Sequence, residues 1–250
     1  MPSADVAIVI PTYNEAGNLA PLATQLWSLP VAGVRILVVD DASPDGTGEQ
    51  ADALARAHPG RFEVLHRTGK LGLGTAYLAG FNHVIRQGAE TIVQMDADFS
   101  HSPAYLPGFL EGLRGADVVV GSRYIPGGCL DDRWSLPRQA LSRFGNVYAR
   151  TILGMSLHDV TGGFRVWKRA TLTAMPLDRI QSNGYVFQVE MAYVASRLGF
   201  RFLEMPIYFE DRRIGQSKMS FRIQVEAALR VWQVLLAHRA VRPRTTATPS

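Results

Sequence analysis

Two aspartates separated by one residue are the strongest chemical signal in the sequence. Asp96 and Asp98 follow a short apolar run, Ile92–Met95, and Ser100 comes two residues later. Side chains at i and i+2 of an extended chain point the same way, so the two carboxylates repel each other unless a cation lies between them. Carboxylate and hydroxyl oxygens favour Mg²⁺ or Mn²⁺, which typically bridges to substrate phosphates. We therefore predict a divalent metal site at Asp96, Asp98 and Ser100, rather than a loop with two solvated aspartates.

Two further polar turns follow apolar runs earlier in the chain. The sequence PTYNE at 11–15 follows Val6–Ile10, and DDASPDG at 40–46 follows Ile36–Val39. Three carboxylates in the second turn are more than helix capping needs, so one of them could bind a ribose hydroxyl or a base amine. Capped turns are the alternative interpretation of both segments. Ligands of open α/β sheets bind beyond the carboxyl ends of the strands, so we expect both turns near the metal site.

Basic residues suited to phosphate form three groups in the second half of the chain. Arg123 follows an apolar run, Arg138 and Ser142 are four residues apart on a predicted helix, and a later loop carries Arg212 and Lys218. Guanidinium groups match the geometry of phosphate oxygens. One surface arginine carries little information, but three such groups in one domain indicate an anionic substrate.

Short apolar runs that alternate with amphipathic segments must position these residues. In the first half this alternation is typical of a parallel sheet covered by helices on both faces. The predicted strands there are Val6–Ile10, Ile36–Val39, Phe62–Leu65, Ile92–Met95 and Val118–Val120. The predicted helices there are Glu15–Leu29, Thr47–Ala57, Thr75–Gln87 and Pro103–Leu113. After about Ser122 we predict helices at Pro137–Leu153 and Val186–Leu198, a strand-like segment at Phe202–Phe209, and a final helix at Phe221–Ala237.

Length and composition restrict the class of protein. A chain of 250 residues that is 47% hydrophobic and 19% charged can bury a sizeable core and is not intrinsically disordered. Its formal net charge of +4 is too weak to indicate nucleic acid binding, but it suits an anionic substrate or an anionic membrane surface. The single cysteine, Cys129, excludes an intrachain disulfide and a cysteine metal cluster.

The final predicted helix allows two interpretations. An apolar stripe made of Phe221, Val225, Ala228, Trp232 and Leu235 runs along it, with charged residues elsewhere. This pattern suits either a last core helix or an interfacial helix that lies on a membrane. No stretch of the sequence reaches the roughly 18 uncharged apolar residues of a membrane-spanning helix, so we predict none.

The order of the motifs resembles that of the inverting GT-A glycosyltransferases of family 2. Five blocks carry this resemblance: VAIVIPTYNE at 6–15, VVDDASPDGT at 38–47, KLGLGTA at 70–76, MDADFSHSP at 95–103 and VVGSRYIPG at 119–127. Three later blocks resemble the dolichyl-phosphate or polyprenyl-phosphate mannose synthases: DVTGGFR at 159–165, NGYVFQVE at 183–190 and FEDRRIGQSK at 209–218. The resemblance covers roughly residues 5–235 and implies one mostly parallel GT-A domain.

The resemblance also implies roles for individual residues. In such a domain, residues 1–122 would bind the donor GDP-mannose, residues 123–238 would bind the acceptor, and 239–250 would be a disordered tail. The implied donor-binding residues are Pro11, Tyr13, Glu15, Asp41, Ala97, Asp98, Arg212 and Lys218. The residues implied to bind the phosphate of a polyprenyl or dolichyl acceptor are Arg123, Arg138 and Ser142. Some family members carry Gln where this chain has the predicted metal ligand Ser100.

The implied reaction is direct displacement at the sugar C1 with inversion. The attacking phosphate oxygen is already anionic at neutral pH, so no strong general base is needed. Positive charge must bring two anions together, so the expected catalytic residues are Asp98, Arg123 and Arg138.

The single cysteine makes the cytosol the expected compartment, and the resemblance adds a membrane. We expect a cytoplasmic protein, peripheral on the cytoplasmic face of a membrane, and some family members obtain their anchor from a separate subunit. The alternatives are another donor, such as UDP-glucose, or a non-catalytic subunit that binds sugar nucleotide or lipid phosphate.

Overall fold

Nine strands form two sheets in the residues that the structure, a computed structural model, describes, namely 5–211 and 221–242. The strands are β1 (Val6–Thr12), β2 (Val34–Asp40), β3 (Phe62–His66), β4 (Thr91–Gln94), β5 (Val118–Ser122), β6 (Cys129–Leu130), β7 (Arg165–Lys168), β8 (Phe202–Pro206) and β9 (Tyr208–Phe209). Seven of them make the central sheet, in the order β3-β2-β1-β4-β7-β5-β8, and β6 pairs with β9.

Helices connect the strands and cover both faces of the central sheet. They are α1 (Ala16–Ser28), α2 (Thr47–Ala57), α3 (Leu73–Arg86), α4 (Leu106–Gly112), α5 (Leu136–Leu153), α6 (Arg169–Ala174), α7 (Gly184–Arg197) and α8 (Phe221–His238). Single 3₁₀ turns lie at Pro103–Tyr105 and Leu177–Arg179. Across the described residues, no helix is long and apolar enough to cross a membrane, as the sequence predicted.

The predicted, mostly parallel sheet is confirmed. β3, β2, β1 and β4 are parallel neighbours, and β5 runs parallel to β8. Such pairing requires a crossover between successive strands, and α1, α2 and α3 provide these crossovers. The carboxyl ends of β1, β2 and β4 therefore open at one edge of the sheet, and the three polar turns identified in the sequence start there.

One strand of the central sheet was not predicted. β7 lies between β4 and β5 and is antiparallel to both, with Arg165 opposite Gln94. Its four residues, RVWK, contain only two apolar side chains between two charged ones, which is too short a pattern for a periodicity argument. Both apolar residues, Val166 and Trp167, are fully buried, so the strand is fixed by tertiary packing.

A second difference concerns the strand-like segment predicted at 202–209. The chain leaves the central sheet after β8, passes the buried Ile207, and joins the small sheet as β9. The small sheet brings the loop after β5 next to the segment that ends at Asp211, because Cys129 pairs with Tyr208.

The hydrophobic core has a layer on each face of the central sheet. Alternate residues of β1 point to opposite layers, so Ile8 packs towards α1 and Val9 towards α3. The contact with α3 is so close that a Cβ at Gly80 would collide with Val9. A third apolar cluster joins α5, α7 and α8.

The buried face of α8 differs from the predicted stripe. Val231, Val234 and His238 are buried, at the spacing i, i+3 and i+7, whereas Val225 and Trp232 are about half exposed. The helix carries apolar side chains on more than one side, so hydrophobicity alone could not determine which side packs inward.

Candidate active site

Strained backbone marks the edge of the sheet where the three turns meet. In the described part of the chain, the non-glycine residues with positive φ are Asn14 (64°), Ala42 (54°) and Phe99 (62°). One lies in each of the turns after β1, β2 and β4. The left-handed region costs an ordinary L-residue roughly 1 kcal/mol or more, and such residues cluster at functional sites. The position of these three residues supports a functional site at this edge.

Asp40 connects the first two turns. Its Oδ1 accepts hydrogen bonds from Thr12 Oγ1 (3.0 Å) and Ser43 Oγ (2.6 Å), and Ser43 Oγ accepts one from the amide of Asn14 (3.0 Å). The buried carboxylate thus holds the turns in register. One of the three carboxylates in the DDASPDG segment therefore has a structural role that its sequence context did not reveal.

Asp45 caps the start of α1 from the neighbouring turn. Its Oδ2 accepts the amide of Ala16 (3.1 Å), its Oδ1 accepts Thr47 Oγ1 (2.6 Å), and Thr47 Oγ1 accepts the amide of Glu15 (2.9 Å). Burial alone would raise the pKa of Asp45, but the hydrogen bonds from Thr47 and Ala16 together outweigh burial and lower that pKa. The predicted donor residue Glu15 itself accepts Asn18 Nδ2 at 2.8 Å.

Asp41 fixes the loop before α3. Its Oδ2 accepts the amides of Leu71 and Gly72, each at 3.1 Å, and Arg67 Nη1 lies 2.8 Å from its Oδ1. In the same loop, Lys70 Nζ lies 3.8 Å from the centre of the Tyr13 ring. The predicted donor residues Tyr13 and Asp41 therefore meet at one loop, and Pro11 lies half-buried at the end of β1. That these residues bind the guanosine stays a prediction.

A buried tyrosine and a buried histidine hold Asp96. Tyr77 donates its hydroxyl hydrogen to Asp96 Oδ1 (2.6 Å), and the amide of Asp96 donates to His101 Nδ1 (3.2 Å). Burial and then Asp96 raise the pKa of Tyr77 well above its usual value, so its hydroxyl stays protonated as a donor. Burial lowers the pKa of His101, whose ring stacks on Phe164, so this histidine is neutral at pH 7. The sequence predicts a structural or polar role for His101, which lacks metal-ligand spacing. Sequence reasoning missed Tyr77, because one aromatic residue in an apolar helix is typical of the core.

The oxygen atoms of this segment suit a divalent cation. Asp98 Oδ1 accepts the amide (3.0 Å) and the hydroxyl (2.6 Å) of Ser100, and Ala97 is buried between the two aspartates. A Cβ at Gly163 would lie 3.4 Å from Asp96 Oδ2, so the glycine keeps space beside that oxygen. Among the described residues, no group of three or more His, Cys, Asp or Glu side chains could hold a metal. Two carboxylates fit Mg²⁺ or Mn²⁺ when phosphate oxygens and water complete the coordination.

Tyr77→Phe tests how far this hydrogen bond orients Asp96. We expect the concentration of Mg²⁺ or Mn²⁺ for half-maximal activity to rise roughly 10- to 100-fold, as for other partners of ligating side chains. The ring still stacks on Phe187, so the variant keeps its fold. Activity is measured as a function of metal concentration, with Tyr193→Phe, another buried tyrosine, as control. An unchanged metal dependence would contradict the orienting role.

Arg123 lies in a buried ion pair at the end of β5. Its Nε donates to Asp159 Oδ2 (2.7 Å), and its Nη2 donates to Asp159 Oδ1 (2.8 Å) and Thr161 Oγ1 (2.7 Å). The side chains of Arg123 and Asp159 are 8% and 0% exposed. Burial alone would lower the pKa of Arg123, but the neighbouring Asp159 carboxylate raises this pKa. Conversely, burial alone would raise the pKa of Asp159, but Arg123 lowers it. The direct contact of Arg123 with an acceptor phosphate stays a prediction.

The other predicted acceptor residues lie on α5 beside the small sheet. Arg138 donates from Nη1 and Nη2 to the two carboxylate oxygens of Asp211, each at 3.0 Å, and its guanidinium lies 3.6 Å from the centre of the Trp134 ring. Ser142 Oγ is hydrogen-bonded to the hydroxyl of Tyr124 (2.7 Å), whose ring lies 5.1 Å from Arg123 Cζ. Tyr124 and Trp134 both lie in the segment between β5 and α5, so aromatic side chains of this segment contact Arg123, Arg138 and Ser142.

The two remaining predicted donor residues, Arg212 and Lys218, lie outside the described residues.

Arg165 is a further buried residue that the sequence analysis did not single out. It donates to the carbonyl oxygens of Gly162 (3.0 Å), Gln188 (2.7 Å) and Val160 (2.9 Å). Burial lowers its pKa to about 10. Arg165 thereby shapes the loop that carries Gly163 to Asp96. The sequence did carry a signal for this role, since Arg165 ends the DVTGGFR block and directly precedes the apolar pair of β7.

The sequence is similar to a known family and to curated proteins. Residues 7–174 match the family model "Glycosyl transferase family 2". The chain is 47% identical over 234 residues to undecaprenyl-phosphate mannosyltransferase of Micrococcus luteus, covering 94% of this chain and 95% of that protein. It is 46% identical over 220 residues to polyprenol monophosphomannose synthase of Mycolicibacterium smegmatis, covering 88% and 82%.

A solved structure supports the fold alone. Glucosyl-3-phosphoglycerate synthase of Mycobacterium tuberculosis, in complex with Mn²⁺, UDP-glucose and phosphoglyceric acid, superposes with a TM-score of 0.65 at 17% identity. The alignment covers 97% of this chain and 81% of that one. The predicted GT-A fold is thereby confirmed.

Proposed function

This chain belongs to glycosyl transferase family 2, and we propose that it transfers mannose from GDP-mannose to the phosphate of a polyprenyl monophosphate of the dolichyl type. The observation that carries the proposal is the Asp96–Ala97–Asp98 segment, which lies at the same sheet edge as the turns of Tyr13 and Asp41. Relatives named for mannose transfer to polyprenyl phosphates support the sugar and the acceptor.

The donor side of the site is built from two neighbouring parts. Pro11, Tyr13, Glu15 and Asp41 lie in or beside the turns after β1 and β2, where the guanosine would bind. Asp96, Asp98 and Ser100 would hold Mg²⁺ or Mn²⁺, which supplies positive charge to the diphosphate when it is bound.

The proposed reaction is a single displacement. A phosphate oxygen of the lipid forms a bond to C1 of mannose, while the bond between C1 and the diphosphate oxygen breaks and its electron pair leaves with GDP. The attacking oxygen is anionic at neutral pH, so the site needs no group to remove a proton. Arg123 and Arg138 would offset the repulsion between the two anionic substrates.

A lipid substrate requires access to a membrane, and α5 and α8 present a suitable surface. The two helices are joined by hydrogen bonds from Tyr148 to the carbonyl of Ala228 (3.2 Å) and from Trp232 Nε1 to Tyr148 (3.0 Å). Besides Leu136 at the start of α5, six large apolar side chains on them are about half or more exposed, namely Phe144, Val147, Val225, Leu229, Trp232 and Leu236. We define these six residues as the apolar surface.

Basic residues flank the apolar surface. Arg143 and Arg239 are exposed, and Arg230 is half-buried. An apolar helix face with flanking arginines binds anionic lipid surfaces, because burial of apolar area and electrostatic attraction add. We therefore propose that the enzyme is peripheral on the cytoplasmic face of an anionic membrane.

Leu229→Glu combined with Leu236→Glu tests the membrane contact. We expect binding to vesicles of phosphatidylcholine and phosphatidylglycerol to fall at least about tenfold, since each buried leucine contributes about 1.5–3 kcal/mol. Co-sedimentation with the vesicles measures this binding. Gln233→Glu combined with Ala240→Glu adds the same charge on the same segment without removing a large apolar side chain. Equal losses in both variants would contradict a hydrophobic contact, and no vesicle binding by the wild type would contradict the membrane contact itself.

The donor is tested by a paired assay. The purified chain is incubated with a short polyprenyl phosphate, Mg²⁺ or Mn²⁺, and either labelled GDP-mannose or labelled UDP-glucose. The proposal is supported if lipid-linked mannose forms from GDP-mannose and no product forms from UDP-glucose. Product from UDP-glucose alone would keep the family and change the donor, and GDP binding without any product would favour a non-catalytic subunit.

A further inference from the structure

A buried pair of titratable residues lies outside the proposed chemistry. Glu190 Oε1 on α7 is 2.7 Å from His238 Nε2 at the end of α8, and the two residues are 2% and 1% exposed. Charged or polar groups buried this deeply are nearly always hydrogen-bonded, so the partners of this pair show what it holds. The neighbouring part in this case is the segment before α7.

Glu190 holds that segment through its backbone. Its Oε2 accepts the amides of Ser182 (2.7 Å) and Gln181 (3.2 Å). Burial alone would raise the pKa of Glu190, but the hydrogen bonds from His238 and Ser182 lower it, so the carboxylate stays ionised. The backbone of segment 181–183 is therefore held by the carboxylate of Glu190.

The segment 181–183 packs against the loop before α3. A Cβ at Gly72 would lie 3.0 Å from Asn183 Oδ1, and a Cβ at Gly74 would collide with the carbonyl of Ser182. Glycine is thus required for the close approach of the two segments. The stretch 70–74, made of the loop before α3 and the first two residues of that helix, binds Asp41 and carries Lys70 to Tyr13, so we refer to it as the donor loop.

The end of α8 is tied to α7 at a second point. Arg197 donates to the carbonyl oxygens of Arg239 (2.8 Å) and Val241 (3.1 Å). Residues 239–242, the first four of the predicted tail, are thus placed against α7, and 243–250 lie outside the described residues. The position of His238 relative to Glu190 is consequently well defined.

We propose that Glu190 and His238 are positioning residues for the donor nucleotide. By holding segment 181–183 beneath the donor loop, they make the affinity for the nucleotide depend on the placement of α8, the helix that also carries half of the apolar surface. The inference rests on the proposed function only in assigning the donor loop to the nucleotide.

The test compares two substitutions at one position in the full chain. His238→Leu keeps a similar volume and removes the hydrogen bond, whereas His238→Gln keeps an N–H that can reach Glu190. For His238→Leu we expect the Kd for GDP and the KM for the donor to rise about tenfold, the usual scale for a lost hydrogen bond to a charged group. We expect kcat and the KM for the polyprenyl phosphate to change less than about twofold. His238→Gln should restore most of the GDP affinity.

A matched variant separates positioning from general loosening of α8. Val234→Ala removes buried volume on the same face of α8, where Val234 packs in the cluster that joins α5, α7 and α8. Calorimetric GDP binding and thermal unfolding are measured for all variants. Unchanged GDP affinity in His238→Leu, or an equal loss in Val234→Ala, would overturn the proposal. Because nucleotide binding is measured directly, with UDP in parallel, absence of mannose transfer by the wild type would contradict the proposed function alone.

Discussion

Asp98→Asn should lower kcat/KM for mannose transfer by about 10³-fold, because the charge that a bound divalent cation gives to a leaving group is worth several kcal/mol. Asparagine has nearly the shape of aspartate. Its side-chain oxygen can still accept the hydrogen bonds that Ser100 donates to Asp98 Oδ1. The turn should therefore keep its conformation, including the left-handed Phe99, and only the negative charge is lost.

The assay is mannose transfer with saturating polyprenyl phosphate at several metal concentrations. Asp178→Asn is the matched control, since Asp178 is an exposed aspartate on the 3₁₀ turn 177–179 beside α6. The control should keep wild-type activity. Activity of Asp98→Asn within about tenfold of the wild type would show that the Asp96–Asp98 pair does not hold the metal.

Arg123→Met should lower the free energy of unfolding by about 3–5 kcal/mol, the usual effect of removing one partner of a buried ion pair. Methionine fills much of the space but leaves Asp159, fully buried, without its charged partner. Asp159 would keep its hydrogen bonds from the amides of Arg123 and Gly162. These hold the loop but do not supply the lost charge.

Urea denaturation of the single and double variants measures this effect. Asp159→Asn added to Arg123→Met should recover part of the loss, because the buried carboxylate that the first substitution leaves without Arg123 is then removed. The pKa of Asp159 is lowered in the folded state, so the pair stabilises the protein above pH of about 4 and loses that contribution as the pH falls further. A loss below about 1 kcal/mol in the single variant would contradict a structural role for this ion pair.

The parallel half of the fold follows from sequence patterns because its strands are buried on both faces. The centres of β1, β2 and β5 are uninterrupted apolar runs, and helix α2 begins and ends where predicted. β7 could not be found this way, since its place between β4 and β5 depends on pairings with residues 45 to 77 positions earlier. Such long-range contacts leave no local periodicity.

The candidate site shows the same division between local and long-range information. The spacing of Asp96 and Asp98 is local, so the sequence identified it. The partners of the predicted basic residues are distant, since Arg123 pairs with Asp159 and Arg138 with Asp211. Spacing along the chain indicates that an arginine is present, but only the fold determines which carboxylate it meets.

The anomeric configuration of the product tests the central claim most directly. The full chain would be incubated with GDP-mannose, in which mannose is α-linked, together with a short polyprenyl phosphate and Mg²⁺. Nuclear magnetic resonance of the purified lipid would then give the configuration at C1. A single displacement by the lipid phosphate predicts a β-mannosyl phosphate. An α-linked product would contradict that displacement, and no mannosyl lipid in the presence of vesicles would contradict the proposed activity itself.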